Sequence, residues 1–126
     1  MNLDRFAPSM LSILRIVAGV LFFLHGPQKL FGFPPSPYPS PAFFSTFGAA
    51  AVLEIIGGAL LIVGFFTRPV AFVMAGMMAF AYFMAHAPSS FWPTSNGGDA
   101  AILFCFIFLY IVFAGPGPWS VDARKR

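Results

Sequence analysis

LRIVAGVLFFLHGPQKLFG, residues 14 to 32, has the length and apolarity of a membrane span and yet carries Arg15, His25 and Lys29. A charge near the middle of a bilayer costs roughly 2.5–3.5 kcal/mol on insertion scales. A lipid-soluble helix tolerates that cost when the charged groups face protein rather than acyl chains. How these residues are spaced therefore decides how the whole chain is read.

The rest of the composition points the same way. Of 126 residues, 59% are hydrophobic and 9% charged. A soluble domain has about 25% charged residues, so this chain lacks the charges to coat a water-facing surface, and lipid is the solvent that fits. The net charge of +3 comes from seven Lys/Arg and four Asp/Glu, too few and too scattered for a nucleic-acid surface. The single cysteine, Cys105, excludes an intrachain disulfide and dithiol chemistry.

A span needs about 20 apolar residues. Four such stretches predict an all-α fold, an integral membrane antiparallel four-helix bundle forming one domain over residues 1–126. The spans are expected near 9–31, 44–66, 69–86 and 98–114. No small-x-small cleavage site follows the first run, which reads as a retained span. Between spans one and two, FPPSPYPSP (33–41) has five prolines in nine residues and is expected to be an extended loop. Thr67-Arg68-Pro69 reads as a minimal turn, APSSFWPTSNGG (87–98) as a loop, and GPGPWS (115–120) as the stop of the last helix.

Four spans put both termini on one side with Arg5, Arg68, Arg124, Lys125 and Arg126, while the opposite loops hold only Lys29. The positive-inside rule then places both termini in the cytoplasm.

At about 100° and 1.5 Å per residue, Arg15, Ala18, Phe22, His25 and Lys29 fall within an arc of about 80°. On the second span Ala50, Ala51, Glu54, Gly57 and Gly58 share a face, and their small size allows a close helix neighbour. Ala75, Ala79, Tyr82 and His86 form a stripe on the third span. Asp99, Leu103, Phe106 and Tyr110 form one on the fourth. Measured from the cytoplasmic end, Glu54 lies about 20 Å up, His25 about 24 Å, His86 about 25 Å and Asp99 about 28 Å. These groups, with Lys29 above, are expected to converge in the outer half of the bundle. Arg15, about 9 Å up, is expected to reach toward Glu54. The plainer readings are an Arg15–Glu54 register pair, a snorkelling Lys29, and His86 and Asp99 as interfacial residues.

Arg15, FFLHGPQKLFG (22–32), Glu54 before a Gly-Gly pair, GFFTRP (64–69), His86, NGGDAAILF (96–104) and GPGPWSVD (115–122) occur in this order. The ordered set resembles the DoxX family of small bacterial membrane proteins, from about Ser12 to Asp122. The resemblance implies a four-helix protein of the bacterial inner membrane, similar in kind to the DoxD-type subunit of thiosulfate:quinone oxidoreductases. One departure is Asp99, where the family pattern has Glu.

The spacing supports a polar site without choosing its ligand; the resemblance implies a redox role as a quinone-facing membrane subunit, with an oxidoreductase subunit as the expected enzyme class. His25, Gln28, Lys29 and His86 would donate hydrogen bonds to a quinone headgroup, and Glu54 or Asp99 would pass protons. Electrons would come from a partner protein or from the substrate itself. No metal site is expected beyond haem ligation by His25 and His86 as an alternative. Two further alternatives are a proton-coupled transporter that forms its pathway as a homo-oligomer, with Glu54 as coupling group, and an assembly or scaffold protein without chemistry of its own.

Overall fold

The computed structural model describes residues 2–35 and 46–124. The prolines of the first loop beyond Pro35, the start of the second expected span, and Lys125 and Arg126 lie outside the described residues. The fold is all-helical, with no strand among the described residues. A short 3-10 turn, Asp4–Phe6, leads into α1, Ala7–Phe31. The other elements are α2, Thr46–Val63; α3, Thr67–Ala81, continued by a π-helical turn, Tyr82–His86; α4, Pro93–Asn96; α5, Asp99–Ala114; and α6, Val121–Arg124.

Local chemistry sets these limits. Pro8 sits in the first turn of α1, where its missing N–H is not needed. Gly32 ends the helix in the left-handed region at φ 70, its N–H bonded to the Gln28 carbonyl. Gly64 (φ 73) ends α2 and Gly115 (φ 87) ends α5. The turn between α2 and α3 therefore falls at Gly64–Phe66, and Thr67-Arg68-Pro69, expected to be the turn, instead opens α3. Proline is compatible with a first helical turn, so Pro69 does not interrupt it.

The four long helices pack as two antiparallel pairs. Residues late in α1 meet residues early in α2: Gly26 lies against Ala51 and Ile55, and Gly19 against Gly58 and Ile62. At the two ends of the other pair, Arg68 at the start of α3 meets the last turn of α5, and Tyr82 meets Gly98 just before α5. Lighter contacts join α2 to α3 and α1 to α5. The core between the pairs is Ala18 and Phe22 of α1, Leu61 of α2, Ala71, Met74 and Ala75 of α3, and Phe108 and Ile111 of α5. Phe22 meets Phe108 edge-on with centroids 5.2 Å apart, a favoured aromatic geometry.

Two expected inward faces need correction. On α5, Leu103, Phe106 and Tyr110 are exposed, and Ala101, Phe108 and Ile111 are buried. This helix is apolar on every side, so its sparse polar residues gave no guide to the buried face. On α1 the buried line runs Arg15, Ala18, Gly19, Phe22, Gly26. It passes through Gly26 rather than His25, because a Cβ at Gly26 would lie 2.8 Å from the Ala51 carbonyl oxygen. The expected small-residue face of α2 is found: Ala51, Glu54, Gly57 and Gly58 are buried.

Candidate functional site

The seam between α1 and α2 is made of small residues. A Cβ at Gly58 would stand 2.8 Å from the Phe23 Cα, so the two backbones are as close as glycine allows. Within this seam Glu54 is 2% exposed, and its Oε1 meets the Lys29 ammonium at 2.5 Å. The Lys29 side chain remains one-third exposed. Glu54 Oε2 is buried and has no hydrogen-bond partner among the described residues. A buried carboxylate oxygen without a donor is costly, and the other oxygen of the same carboxylate is held by the Lys29 ammonium.

His25 is exposed on the outer side of this seam. It lines a groove of about 310 Å³ with Leu21, Leu24, Gln28, Pro34 and Phe104. Phe104 comes from α5, so the groove runs between α1 and α5. Gln28 Nε2 donates to the Pro35 carbonyl at 3.1 Å, which ties the loop after α1 to one wall. The groove combines apolar walls with two side chains able to donate hydrogen bonds. Nothing in a uniformly apolar helix sequence marks Phe104 or the wall leucines as a groove wall.

His86 belongs to a different cluster. Its Nδ1 lies 3.2 Å from the Asn96 carbonyl oxygen. The Asn96 side chain donates to the Tyr82 hydroxyl and the Ser90 carbonyl, and accepts from the Gly98 N–H. Asn96 thus organises the loop between the π-helical turn and α5. Its position before Gly97-Gly98 was the available signal, because Asn and Gly are the common turn formers. Asp99 is exposed at the start of α5, where its charge suits the helix N-terminus. Of Lys29, Glu54, His25, His86 and Asp99, only Lys29 and Glu54 are joined by a hydrogen bond or ion pair among the described residues. The single meeting point expected for all five is not formed. The His25 groove does not include His86, and no group of three His, Cys, Asp or Glu among the described residues could hold a metal ion.

Arg15 is the largest correction. It does not reach Glu54. It is fully buried at the other end of the molecule. There its guanidinium donates to the carbonyls of Leu61 and Ile62, which lie in the last turn of α2, and to those of Pro116 and Trp119. Ser12 accepts from the Trp119 N–H at 3.1 Å. Asp122 accepts from the N–H groups of Phe66 and Thr67 at 3.0 and 2.9 Å, capping α3 and supporting the left-handed Phe66, φ 51. The Asp122 N–H returns to the Gly64 carbonyl. Three separate stretches of sequence, Arg15, GFFTRP and GPGPWSVD, thus form one polar knot. Arg15 satisfies helix-end carbonyls that would otherwise be orphaned.

The DoxX family model matches residues 10–87, well over half of the chain. The chain belongs to the DoxX family. A relative from Haemophilus influenzae, called an uncharacterized protein, is 40% identical over 98% of this chain and 96% of its own length. An uncharacterized membrane protein of Mycobacterium tuberculosis is 27% identical over 93% of this chain and 81% of its own. No solved structure matches the chain. The DoxX match spans α1, α2, α3 and the π-helical turn, and so contains Lys29, Glu54 and the His25 side of the groove.

Proposed function

We propose that this DoxX protein is a multi-pass component of the bacterial inner membrane whose α1–α5 groove binds a quinone-type headgroup, as the membrane subunit of a redox assembly. The membrane reading rests on where the apolar surface lies. All four long helices expose large apolar side chains, among them Val17, Leu53, Phe72 and Phe106, whereas Arg15, Glu54 and Thr67 are buried. A water-soluble monomer does not expose apolar surface of this extent. Residues 4–31 and 67–86 are long and apolar enough to cross a bilayer. The 18 residues of α2 and 16 of α5 lie near the short limit. With four spans, Arg5, Arg68 and Arg124 share one side and Lys29 the other, which favours cytoplasmic ends.

The observation that carries the ligand reading is the apolar groove lined by an exposed histidine and Gln28, with the orphaned Glu54 Oε2 in the α1–α2 seam that the same helix, α1, forms. A quinone headgroup enters sideways from lipid and asks for donors to its carbonyl oxygens. His25 and Gln28 supply them. Its two-electron reduction consumes two protons, and Lys29 and Glu54, joined in the α1–α2 seam, form the proton-holding pair. The electrons come from a partner protein, because this chain has one cysteine and no glycine-rich flavin fingerprint.

The Lys29–Glu54 bridge also favours a second reading, in which the pair only sets helix register. The orphaned oxygen favours the first, since a purely structural pair gains nothing from leaving it unpaired. The test is solvent extraction of protein purified in mild detergent, followed by quinone quantification. Near-stoichiometric quinone is expected, reduced roughly tenfold in His25→Ala. Quinone at the level of mock-purified membranes, or equal amounts in wild type and variant, would refute the reading.

A further inference from the structure

We infer that the polar end of the molecule carries a second site, which takes the phosphate of an anionic phospholipid; the inference rests on the membrane reading above, though not on the quinone site. A groove of about 780 Å³ lies between the start of α1, the start of α3, the end of α5 and the segment after it. Its walls divide by chemistry. Leu11, Phe66 and Ala114 form an apolar side, and Arg68 supplies a cation.

Arg68 is an unusual cation for this chain. It is exposed, and its Nη1 donates to the Val112 and Phe113 carbonyls at 2.8 and 2.9 Å. These bonds hold the guanidinium plane in place against Gly115, where an added Cβ would stand 2.9 Å from Nη2. Nη2 and Nε make no hydrogen bond, and Arg68 makes no ion pair, among the described residues. The carboxylate in the groove, Asp122, is engaged by the Phe66 and Thr67 N–H groups. A fixed guanidinium with two unused donor nitrogens is the group that recognises phosphate oxygens.

The level in the membrane selects the occupant. The groove lies where α1 and α3 begin and α5 ends, at the rim of the apolar slab. Arg5 and Arg124 add positive charge at the same end. An anionic headgroup seats on Arg68 while its acyl chains leave along Leu11 and Phe66. A zwitterionic headgroup would bring its ammonium to a groove whose carboxylate is already committed, so an anionic diester such as phosphatidylglycerol is favoured over phosphatidylcholine.

The experiment is native mass spectrometry of the full-length protein released from nanodiscs of equal phosphatidylglycerol and phosphatidylcholine. The expected result is one phosphatidylglycerol per chain, retained about tenfold over phosphatidylcholine. It is lost in Arg68→Gln and in Ala114→Trp, which fills the groove while keeping the guanidinium. Ala114→Trp must still melt as a folded protein, and its loss of lipid then cannot be laid to loss of the Arg68 bonds to α5. Equal retention of both lipids, retention unchanged in Ala114→Trp, or displacement by millimolar inorganic phosphate would overturn the inference. A protein washed from membranes by carbonate defeats the membrane reading. One that stays embedded without lipid preference defeats only this site.

Discussion

The Arg15 guanidinium donates to the Trp119 carbonyl at 2.7 Å, joining the first long helix to a segment 104 residues later. The same side chain holds the Leu61 carbonyl at 2.8 Å. One cation therefore ties together α1, the end of α2 and the fold-back after α5. Arg15 offers its donors in a planar fork, which suits several carbonyls at once.

Arg15→Gln is expected to destabilise the protein by about 3–5 kcal/mol, because the carbonyls of Leu61, Ile62, Pro116 and Trp119 lose a charged donor and each such bond is worth about 1.5–3 kcal/mol. Arg15→Lys is expected to restore only part of this, because one ammonium cannot reach carbonyls on two elements. Thermal unfolding in detergent followed by size-exclusion chromatography measures both. A melting temperature for Arg15→Gln within about 2 °C of wild type would contradict the role given to the knot.

Asp122→Ala removes the acceptor for the Phe66 and Thr67 N–H groups. The expected cost is about 1–2 kcal/mol, as for other helix caps. Its distinguishing sign is local: amide exchange should accelerate at residues 66 and 67 well before α1 is affected. Unchanged protection there would show that α3 holds its own first turn.

Glycine contacts give a paired prediction. A Cβ at Gly58 would meet the Phe23 backbone at 2.8 Å, while one at Gly76 would meet nothing within 4 Å. Gly58→Ala should therefore cost about 1–3 kcal/mol through overpacking. Gly76→Ala should be neutral or slightly stabilising. Similar melting temperatures for the two variants would mean that the α1–α2 seam is looser than described.

Much of this architecture is legible in the sequence, and the part that is not has a physical cause. The described helix ends fall within about three residues of the expected ones, since Gly32, Gly64 and Gly115 stop helices by local backbone chemistry. The α2 packing face is legible because small residues cluster around Glu54. The buried face of α5 is not, since that helix has no polar side to set against an apolar one. Depth and helix angle rank Glu54 as reachable from Arg15, whereas its actual acceptors are backbone carbonyls. The fold-back of residues 115–122, which supplies the Pro116 and Trp119 carbonyls, is a long-range arrangement with no local signature. Spacing alone puts His25 on the buried line of α1, but Gly26 takes that place against α2 and leaves His25 exposed.

Lys29 and Glu54 are expected to be energetically coupled. Lys29→Met and Glu54→Gln should each destabilise, and the double variant should fall short of their sum by about 1–3 kcal/mol. A double-variant cycle by thermal or denaturant unfolding measures the coupling. Strict additivity would mean that the 2.5 Å contact contributes nothing to stability.

The central claim is that the His25 groove takes a quinone headgroup from the lipid phase. Photolabelling with a quinone-headgroup probe in native membranes, followed by peptide mapping, tests it most directly. The account predicts saturable label on the 21–28 segment and on Phe104, suppressed by excess unlabelled quinone and strongly reduced in His25→Ala. Label that is unsaturable, or that falls on other segments and is indifferent to His25, would contradict it.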